Sequence, residues 1–138
     1  MKRRITLDTG PLVALLHRRD FYHNWAVEQF PKLGSPLLTC KSVLSEACHL
    51  LRGIPRSTET VLKLMETGLV QIAFDLSSEL SAIRKLADRY SNVPMSLADA
   101  CLVRMSELHH NSTIFTTDSD FHIYRKHNNQ PIPLIIPA

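Results

Sequence analysis

Short runs of apolar and β-branched residues alternate along this chain with stretches whose apolar residues recur at helical spacing. The short runs predict five strands, over residues 4–7, 37–39, 69–74, 113–116 and 133–136. The stretches between them are long enough to hold helices. This alternation is typical of an α/β domain, in which helices cover a central, mainly parallel sheet.

Six helices are predicted between these strands, over residues 10–17, 22–30, 43–51, 57–67, 77–90 and 97–109. Gly10-Pro11 opens the first helix, and Pro31 is expected to end the second. Ser42 is the expected N-cap of the third. Several crossovers therefore contain two helices, more than the simplest doubly wound sheet uses.

The length and hydropathy of the chain limit the number of domains and of membrane-spanning segments that it can form. It has 138 residues, 44% of them hydrophobic, which suits one domain over residues 1–138 with its own core. No run approaches the roughly 18–20 apolar residues of a membrane span. The run from Leu12 to Leu16 is also too short for a signal peptide. We therefore expect a cytoplasmic protein without a membrane segment.

The three cysteines, Cys40, Cys48 and Cys101, lie within apolar stretches. Their odd number and surroundings predict reduced thiols in a cytoplasmic core and argue against a disulfide framework. A zinc site that combines them with His49 is the alternative, but no CxxC or HxxxH pair supports it.

The net charge is weakly positive, at +3 with a pI of about 8.9. The basic residues are scattered along the chain, and solvated surfaces explain most of them. This charge permits an anionic partner without requiring one.

Two carboxylates stand out because their neighbours are apolar. Asp8 follows the first strand, at the end where open α/β sheets place their ligand sites, although capping the next helix would also explain it. Glu46 is predicted at the edge of the buried face of its helix. A buried, unpaired acid is costly, so Glu46 indicates either a functional site or a salt bridge.

Two further acids, Asp99 and Asp118, stand beside apolar segments in the second half of the chain. Asp99 stands three residues after Ser96, which resembles a capping box, yet its helix is otherwise apolar. Asp118 follows the strand predicted over 113–116. Asp120, two residues later, is the weaker candidate, with an outer or supporting position.

These acids can share one pocket only under a strong electrostatic constraint. At a separation of around 5 Å, each pair would repel by roughly 3 kcal/mol at an effective dielectric constant of about 20. Such a cluster needs either a carboxyl with a raised pKa or a cation between its members. Oxygen ligands without Cys or His favour Mg²⁺ or Mn²⁺.

The four acidic segments together resemble those of PIN domains, in the same order along the chain. They read Ile5-Thr6-Leu7-Asp8-Thr9-Gly10-Pro11-Leu12, Val43-Leu44-Ser45-Glu46, Ser96-Leu97-Ala98-Asp99-Ala100 and Phe115-Thr116-Thr117-Asp118-Ser119-Asp120-Phe121. Their spacing is similar to that of the VapC-like toxins of toxin–antitoxin pairs. The resemblance covers essentially the whole chain.

This resemblance implies a three-layer α/β/α sandwich with a short, mostly parallel sheet, usually as a homodimer. It also implies Mg²⁺- or Mn²⁺-dependent cleavage of RNA, and an antitoxin protein as partner. Asp8, Glu46, Asp99 and Asp118 carry over as the catalytic and metal-binding acids. Thr9 and Thr116 match the hydroxyl residues that accompany the first and last acid, with Asp120 in support.

Three other functions were weighed against this one. A phospho-acceptor receiver domain is a poor fit, because the first strand is not followed by a pair of adjacent acids. A PIN-like module that binds RNA or protein without cutting it is a stronger alternative. Within the nuclease reading, a stand-alone RNA-processing enzyme competes with a toxin.

Overall fold

The computed structural model describes residues 3–138. Its strands are β1 (Arg4–Leu7), β2 (Leu37–Thr39), β3 (Val70–Ile72), β4 (Ser112–Phe115), β5 (Arg125–Lys126), β6 (Gln130–Pro131) and β7 (Leu134–Ile135). Its α helices are α1 (Thr9–Leu16), α2 (His23–Leu33), α3 (Lys41–Leu50), α4 (Ser57–Glu66), α5 (Leu80–Arg89) and α6 (Leu97–Leu108).

Five strands form one parallel sheet in the order β3-β2-β1-β4-β7. Each of the first three crossovers contains two α helices, as the sequence predicts. A small antiparallel hairpin of β5 and β6 lies between β4 and β7 in the chain. The predicted α/β sandwich with a parallel sheet is therefore confirmed.

The sheet divides the core into two halves. Alternate side chains of β1, Ile5 and Leu7, pack with residues of α1 to α4 on one face. On the other face, Ile114 of β4 packs with residues of α5 and α6. The two helical layers are thus held apart by a sheet that is apolar on both sides, the arrangement expected of parallel strands.

The direction of the strand order reverses between β1 and β4. The chain moves from β1 through β2 to β3 on one side, and places β4 on the other. At such a switch point the loops that leave the carboxyl ends of two adjacent strands separate and leave a crevice. Asp8 follows β1 directly at this crevice, and Thr116 follows β4.

Several predicted boundaries differ from the structure. Helix α3 begins at Lys41 with Cys40 as its N-cap, so Ser42 lies inside the helix and is not its cap. Pro31 lies inside α2, which continues to Leu33 before Gly34 adopts a φ of 72°. The missing N–H of Pro31 removes one hydrogen bond of α2, and the helix continues for only two residues beyond it.

Other differences concern short elements. The strand predicted over 69–74 is reduced to β3, and the helix predicted over 77–90 starts as a 3-10 turn over Ser77–Glu79. The β5–β6 hairpin was not predicted, because its residues are polar and show no alternation. All three cysteines are free thiols, and Cys40 and Cys101 are buried.

Among residues 3–138, none of the helices combines the length and the hydropathy that crossing a membrane requires.

Substitution of Phe115 measures how much the packing of β4 against α2 contributes to stability. Its ring is fully buried and lies 5.3 Å from the ring of Trp25 and 5.1 Å from that of Phe30, between centroids. We expect Phe115→Ala to lower the free energy of unfolding by about 3–5 kcal/mol, because it leaves a cavity. Chemical denaturation measures this change.

The matched control is the same substitution at Phe21, which is 90% exposed. Phe21→Ala should change the free energy of unfolding by less than about 0.5 kcal/mol. Equal losses in the two variants would contradict the described packing.

Candidate active site

Asp8 is buried at the carboxyl end of β1, with 6% of its surface exposed. Its backbone N–H donates to the Phe115 carbonyl, which extends the ladder between β1 and β4 by one bond. Its carboxyl Oδ1 accepts from the Thr9 N–H at 2.7 Å, and Oδ2 accepts from the Thr116 hydroxyl at 2.7 Å. Asp8 therefore caps α1, as the alternative interpretation held, and at the same time faces the crevice.

The surroundings of Asp8 disfavour its charged form. Burial raises the pKa of Asp8 to about 7, and the negative charges of Asp99 and Asp118 contribute to the rise. Hydrogen bonds from Thr116 and Thr9 act in the opposite direction. Desolvation outweighs them, so near neutral pH the carboxyl of Asp8 is only partly ionised.

Asp99 is held at the start of α6 by a capping box. The Asp99 N–H donates to Ser96 Oγ at 3.0 Å, and the Ser96 N–H donates to Asp99 Oδ2 at 3.2 Å. The buried hydroxyl of Tyr124 also donates to Oδ2, at 3.2 Å. Both side-chain bonds use Oδ2, which leaves Oδ1 available. Burial, with the charge of Asp118 in addition, raises the pKa of Asp99 above its ordinary value.

Asp118 lies three residues beyond the end of β4, after Thr116 and Thr117, and is half-buried. Its N–H donates to Thr116 Oγ1 at 2.9 Å, and its Oδ1 accepts from the Asp120 N–H at 2.9 Å. Thr116 is fully buried and bonds both Asp8 and Asp118, so one hydroxyl fixes the relation between these two acids.

One cleft of about 550 Å³ brings the candidate acids together. Asp8, Glu46, Asp99 and Asp118 all line it, and so does Thr9. Asp120 does not contribute to the lining, although its backbone supports Asp118. Thr116 lies beneath the cleft, bonded to Asp8.

Glu46 differs from the expectation in one respect. It is exposed on α3, whereas its helix neighbours Val43 and Ala47 are buried. The argument that a buried position makes Glu46 costly was therefore wrong. It lines the cleft from the solvent side, and within residues 3–138 no hydrogen bond or salt bridge is formed by its side chain.

The sequence analysis missed three contributors to this region. Asp20 and Phe21 line the cleft from the loop between α1 and α2, and Tyr124 reaches Asp99 from the C-terminal segment. None of them belongs to an apolar periodicity or to a recognisable acidic segment. The only signal was an aromatic residue beside acids and arginines in a short loop.

The charge of the cleft is uncompensated. Five acids line it, counting Asp20, and among residues 3–138 no Lys, Arg or His does. The salt bridges found between residues 3 and 138 involve none of these acids. The repulsion is accommodated instead by the raised pKa values of Asp8 and Asp99.

The residues present fit a hard divalent cation. The acids that line the cleft offer carboxylate oxygens as ligands. The Thr9 hydroxyl is also a buried polar atom without a hydrogen-bond partner within the described chain. As they stand, no three His, Cys, Asp or Glu side chains of residues 3–138 have the geometry of a complete metal site. Mg²⁺ commonly retains several waters, so it does not need such a complete protein cage.

Gly10 keeps the backbones at the base of the cleft close together. A Cβ at this position would lie 2.0 Å from Thr117 Oγ1 and 3.2 Å from Thr117 Cβ. A side chain at position 10 would therefore displace the Thr117 side chain, next to Asp118 in the cleft.

The profile of the PIN domain matches residues 5–126 of the sequence. The chain belongs to the PIN domain family. The resemblance drawn from the four acidic segments is thus confirmed.

This PIN domain is also similar to a solved structure. VapC20 of Mycobacterium tuberculosis, described as a toxin that cleaves the sarcin–ricin loop, superposes with a TM-score of 0.78 at 18% sequence identity. The match covers 92% of this chain and 99% of that chain, and at this identity it concerns the fold. Among curated proteins, none matches the sequence significantly.

The raised pKa of Asp8 predicts how the stability of this PIN domain depends on pH. Its pKa is 3.8 unfolded and about 7 folded, so its contribution is complete below about pH 4 and is lost as pH rises to about 7. We compare the free energies of unfolding of Asp8→Asn and of the natural chain in EDTA. From pH 4 to pH 8, the value for Asp8→Asn should rise relative to that of the natural chain by at most about 4 kcal/mol. Denaturant titrations at each pH measure this difference.

Asp88→Asn provides the control, because Asp88 is an exposed acid on α5 outside the cleft. Its stability should run parallel to that of the natural chain at every pH. If the Asp8→Asn curve were also parallel, the described burial of Asp8 would be wrong.

Proposed function

We propose that this PIN domain is a Mg²⁺- or Mn²⁺-dependent endoribonuclease that acts as the toxin of a toxin–antitoxin pair. One observation carries the proposal. The acids from four separate segments, Asp8, Glu46, Asp99 and Asp118, line a single cleft to which no basic side chain of the described residues contributes. The RNA-cleaving activity of the similar VapC20 fold supports the choice of substrate.

Asp8, Glu46, Asp99 and Asp118 would hold the divalent ion, with Asp120 in a supporting position. When bound, the ion would acidify water and neutralise negative charge that develops on the phosphate oxygens. Hydrolysis of the phosphodiester bond would leave a 5′-phosphate and a 3′-hydroxyl.

The surrounding residues keep these carboxylates in position. The Thr9 N–H and the Thr116 hydroxyl each fix one oxygen of Asp8, and Tyr124 holds Oδ2 of Asp99. Hydrogen bonds of this kind orient metal ligands and tune their basicity. The Thr9 hydroxyl, which is buried and lacks a partner in the described chain, would orient a neighbouring carboxylate.

Glu46 has two possible roles, as a ligand or as the acceptor of a proton from the attacking water. Its side chain is exposed and unbonded within the described residues, so it can reach water in the cleft. Glu46→Gln separates the roles. Loss of turnover with unchanged Mn²⁺ affinity assigns the proton acceptor, and loss of affinity assigns a ligand.

Two partners follow from the proposal. A toxin needs an antitoxin, and a cleft lined by five acids is complementary to a basic side chain inserted by such a protein. A homodimer is proposed through α2 and α4. These helices carry the exposed apolar side chains Val27 and Leu62, with 46% and 52% of their surfaces exposed.

The proposal predicts RNA cleavage that depends on the acids. With total RNA and Mg²⁺ or Mn²⁺, the purified chain should produce discrete fragments, and EDTA should abolish them. Asp8→Asn should lower the cleavage rate at least about a hundredfold. Thr116→Val, which removes the supporting hydrogen bonds to Asp8 and Asp118, should lower it by about 10- to 100-fold. Gel analysis with end mapping measures both.

Asp88→Asn is the matched control and should cleave at the natural rate, since Asp88 lies outside the cleft. Cleavage that persists unchanged in Asp8→Asn would refute the nuclease assignment. Binding of RNA without turnover by the natural chain would support the non-cutting module instead. Growth arrest on expression, relieved by the product of an adjacent gene, distinguishes a toxin from a stand-alone processing enzyme.

Metal binding should itself depend on pH. A cation binds the ionised form of Asp8, whose pKa is about 7, so binding displaces a proton. The Mn²⁺ dissociation constant should fall about tenfold between pH 6 and pH 8, and calorimetry measures this change. Asp8→Asn should bind more weakly and lose this pH dependence. An affinity that is independent of pH in the natural chain would contradict the assignment of Asp8 as a ligand.

A further inference from the structure

Phe21 is an exposed aromatic residue at the edge of the acidic cleft. It is 90% exposed and lines the same cleft as Asp8, Asp99 and Asp118. No other residue of that lining presents a large aromatic side chain so openly, since Tyr22 is half-buried. Phe21 therefore offers apolar surface beside the position at which a phosphate would be bound.

The ring of Phe21 is the outermost of a series of aromatic rings in contact with one another. It meets the ring of Tyr22 edge to face, with centroids 4.9 Å apart and planes at 85°. The ring centroids of Tyr22 and Trp25 are 6.3 Å apart, and those of Trp25 and the buried Phe115 are 5.3 Å apart. The exposed ring is thus connected to the core through successive ring contacts. Because an edge-to-face contact engages a ring along one direction only, much of the Phe21 ring remains open.

The loop that carries Phe21 is held by backbone hydrogen bonds. Asp20 Oδ1 accepts from the Tyr22 N–H at 2.8 Å, and the Asp20 N–H donates to the His17 carbonyl at 3.0 Å. The Asp20 carboxylate is therefore used to shape the turn. A platform of defined position costs less conformational entropy when it binds than a flexible side chain does.

The same loop supplies positive charge. Arg18 and Arg19 are exposed, and neither forms a salt bridge with a residue in the range 3–138. They stand two and three residues before Phe21 in the chain, and exposed cations in the same loop as an exposed aromatic ring are typical of sites that bind single-stranded nucleic acid. There the cations contact phosphates and each base stacks on a ring.

We propose that Phe21 is a stacking platform for an unpaired base of RNA next to the phosphate in the acidic cleft. This inference rests on the proposed function and adds a substrate requirement to it. The base adjoining the cleaved bond must be unpaired, because the faces of a paired base are already covered by its neighbours in the helix. Phe21 is thereby a positioning residue and takes no part in the chemical step.

The first test is kinetic. On an RNA oligonucleotide spanning a mapped cleavage site, Phe21→Ala should raise KM about tenfold, which corresponds to about 1.4 kcal/mol, and should leave kcat within about threefold. Phe21→Trp should restore the natural KM, whereas Phe21→Leu should not, because it keeps apolar surface without an aromatic face. Leu80→Ala, an exposed apolar residue on α5 outside the cleft, is the control.

The second test does not depend on cleavage. In the Asp8→Asn background, a single-stranded 12-nucleotide RNA pool with one 2-aminopurine should lose fluorescence when it binds, because the base stacks. Adding Phe21→Ala should remove this quenching, and annealing the pool to its complement should remove it as well. Both tests use the full chain.

The outcomes separate the two proposals. Phe21-dependent quenching without any cleavage by the natural chain keeps the stacking role and refutes the nuclease. Cleavage with the same KM and the same quenching in Phe21→Ala refutes the stacking role, and Phe21 is then assigned to contact with a protein partner. An unquenched pool in the presence of Phe21 also refutes it.

Discussion

The structure depends on how a buried carboxylate is kept beside other carboxylates. Asp8 lies where β1 ends, shielded from water, and within the described part of the chain only the Thr9 N–H and the Thr116 hydroxyl bond its oxygens. These two bonds are too few to offset its desolvation, so the carboxyl tends to retain its proton. A cation would remove this conflict. The same arrangement that makes the metal-free cleft unfavourable therefore favours binding of a divalent ion.

The parallel sheet is what allows such an arrangement. Its adjacent strands β1 and β4 end at the same edge, and the reversal of strand order opens a crevice there. Helices α3 and α6 then bring Glu46 and Asp99 to that crevice from opposite layers. The chemistry of the site is thus set by four short segments, while most of the chain serves to hold them.

Much of this could be predicted from the sequence, for identifiable reasons. An apolar strand followed by an acid indicates both a buried strand and its carboxyl end, and this applies to Asp8, directly after β1, and to Asp118, three residues after β4. Asp99 was predicted because its helix is otherwise apolar, although the capping box with Ser96 offered a structural explanation as well. The four acidic segments also identified the PIN family before the fold was known.

The remaining features depend on tertiary structure. The exposure of Glu46 could not be inferred, because helical spacing does not distinguish a face covered by core from one that borders a cleft. Tyr124 contacts Asp99 because the chain turns back after β4. No local sequence pattern predicts such a contact. Phe21 lies in a loop, where periodicity carries no information. Pro31 shows that a proline near a helix end does not define that end.

The position of the cleft between the two halves of the core has a consequence for partly folded chains. Asp8 and Glu46 come from the half that contains α1 to α4, whereas Asp99 and its partner Tyr124 come from the half that contains α5 and α6. A folding intermediate with only one helical layer docked would carry at most part of the acid set. Such an intermediate would lack the complete acidic cleft, because the cleft requires side chains from both helical layers.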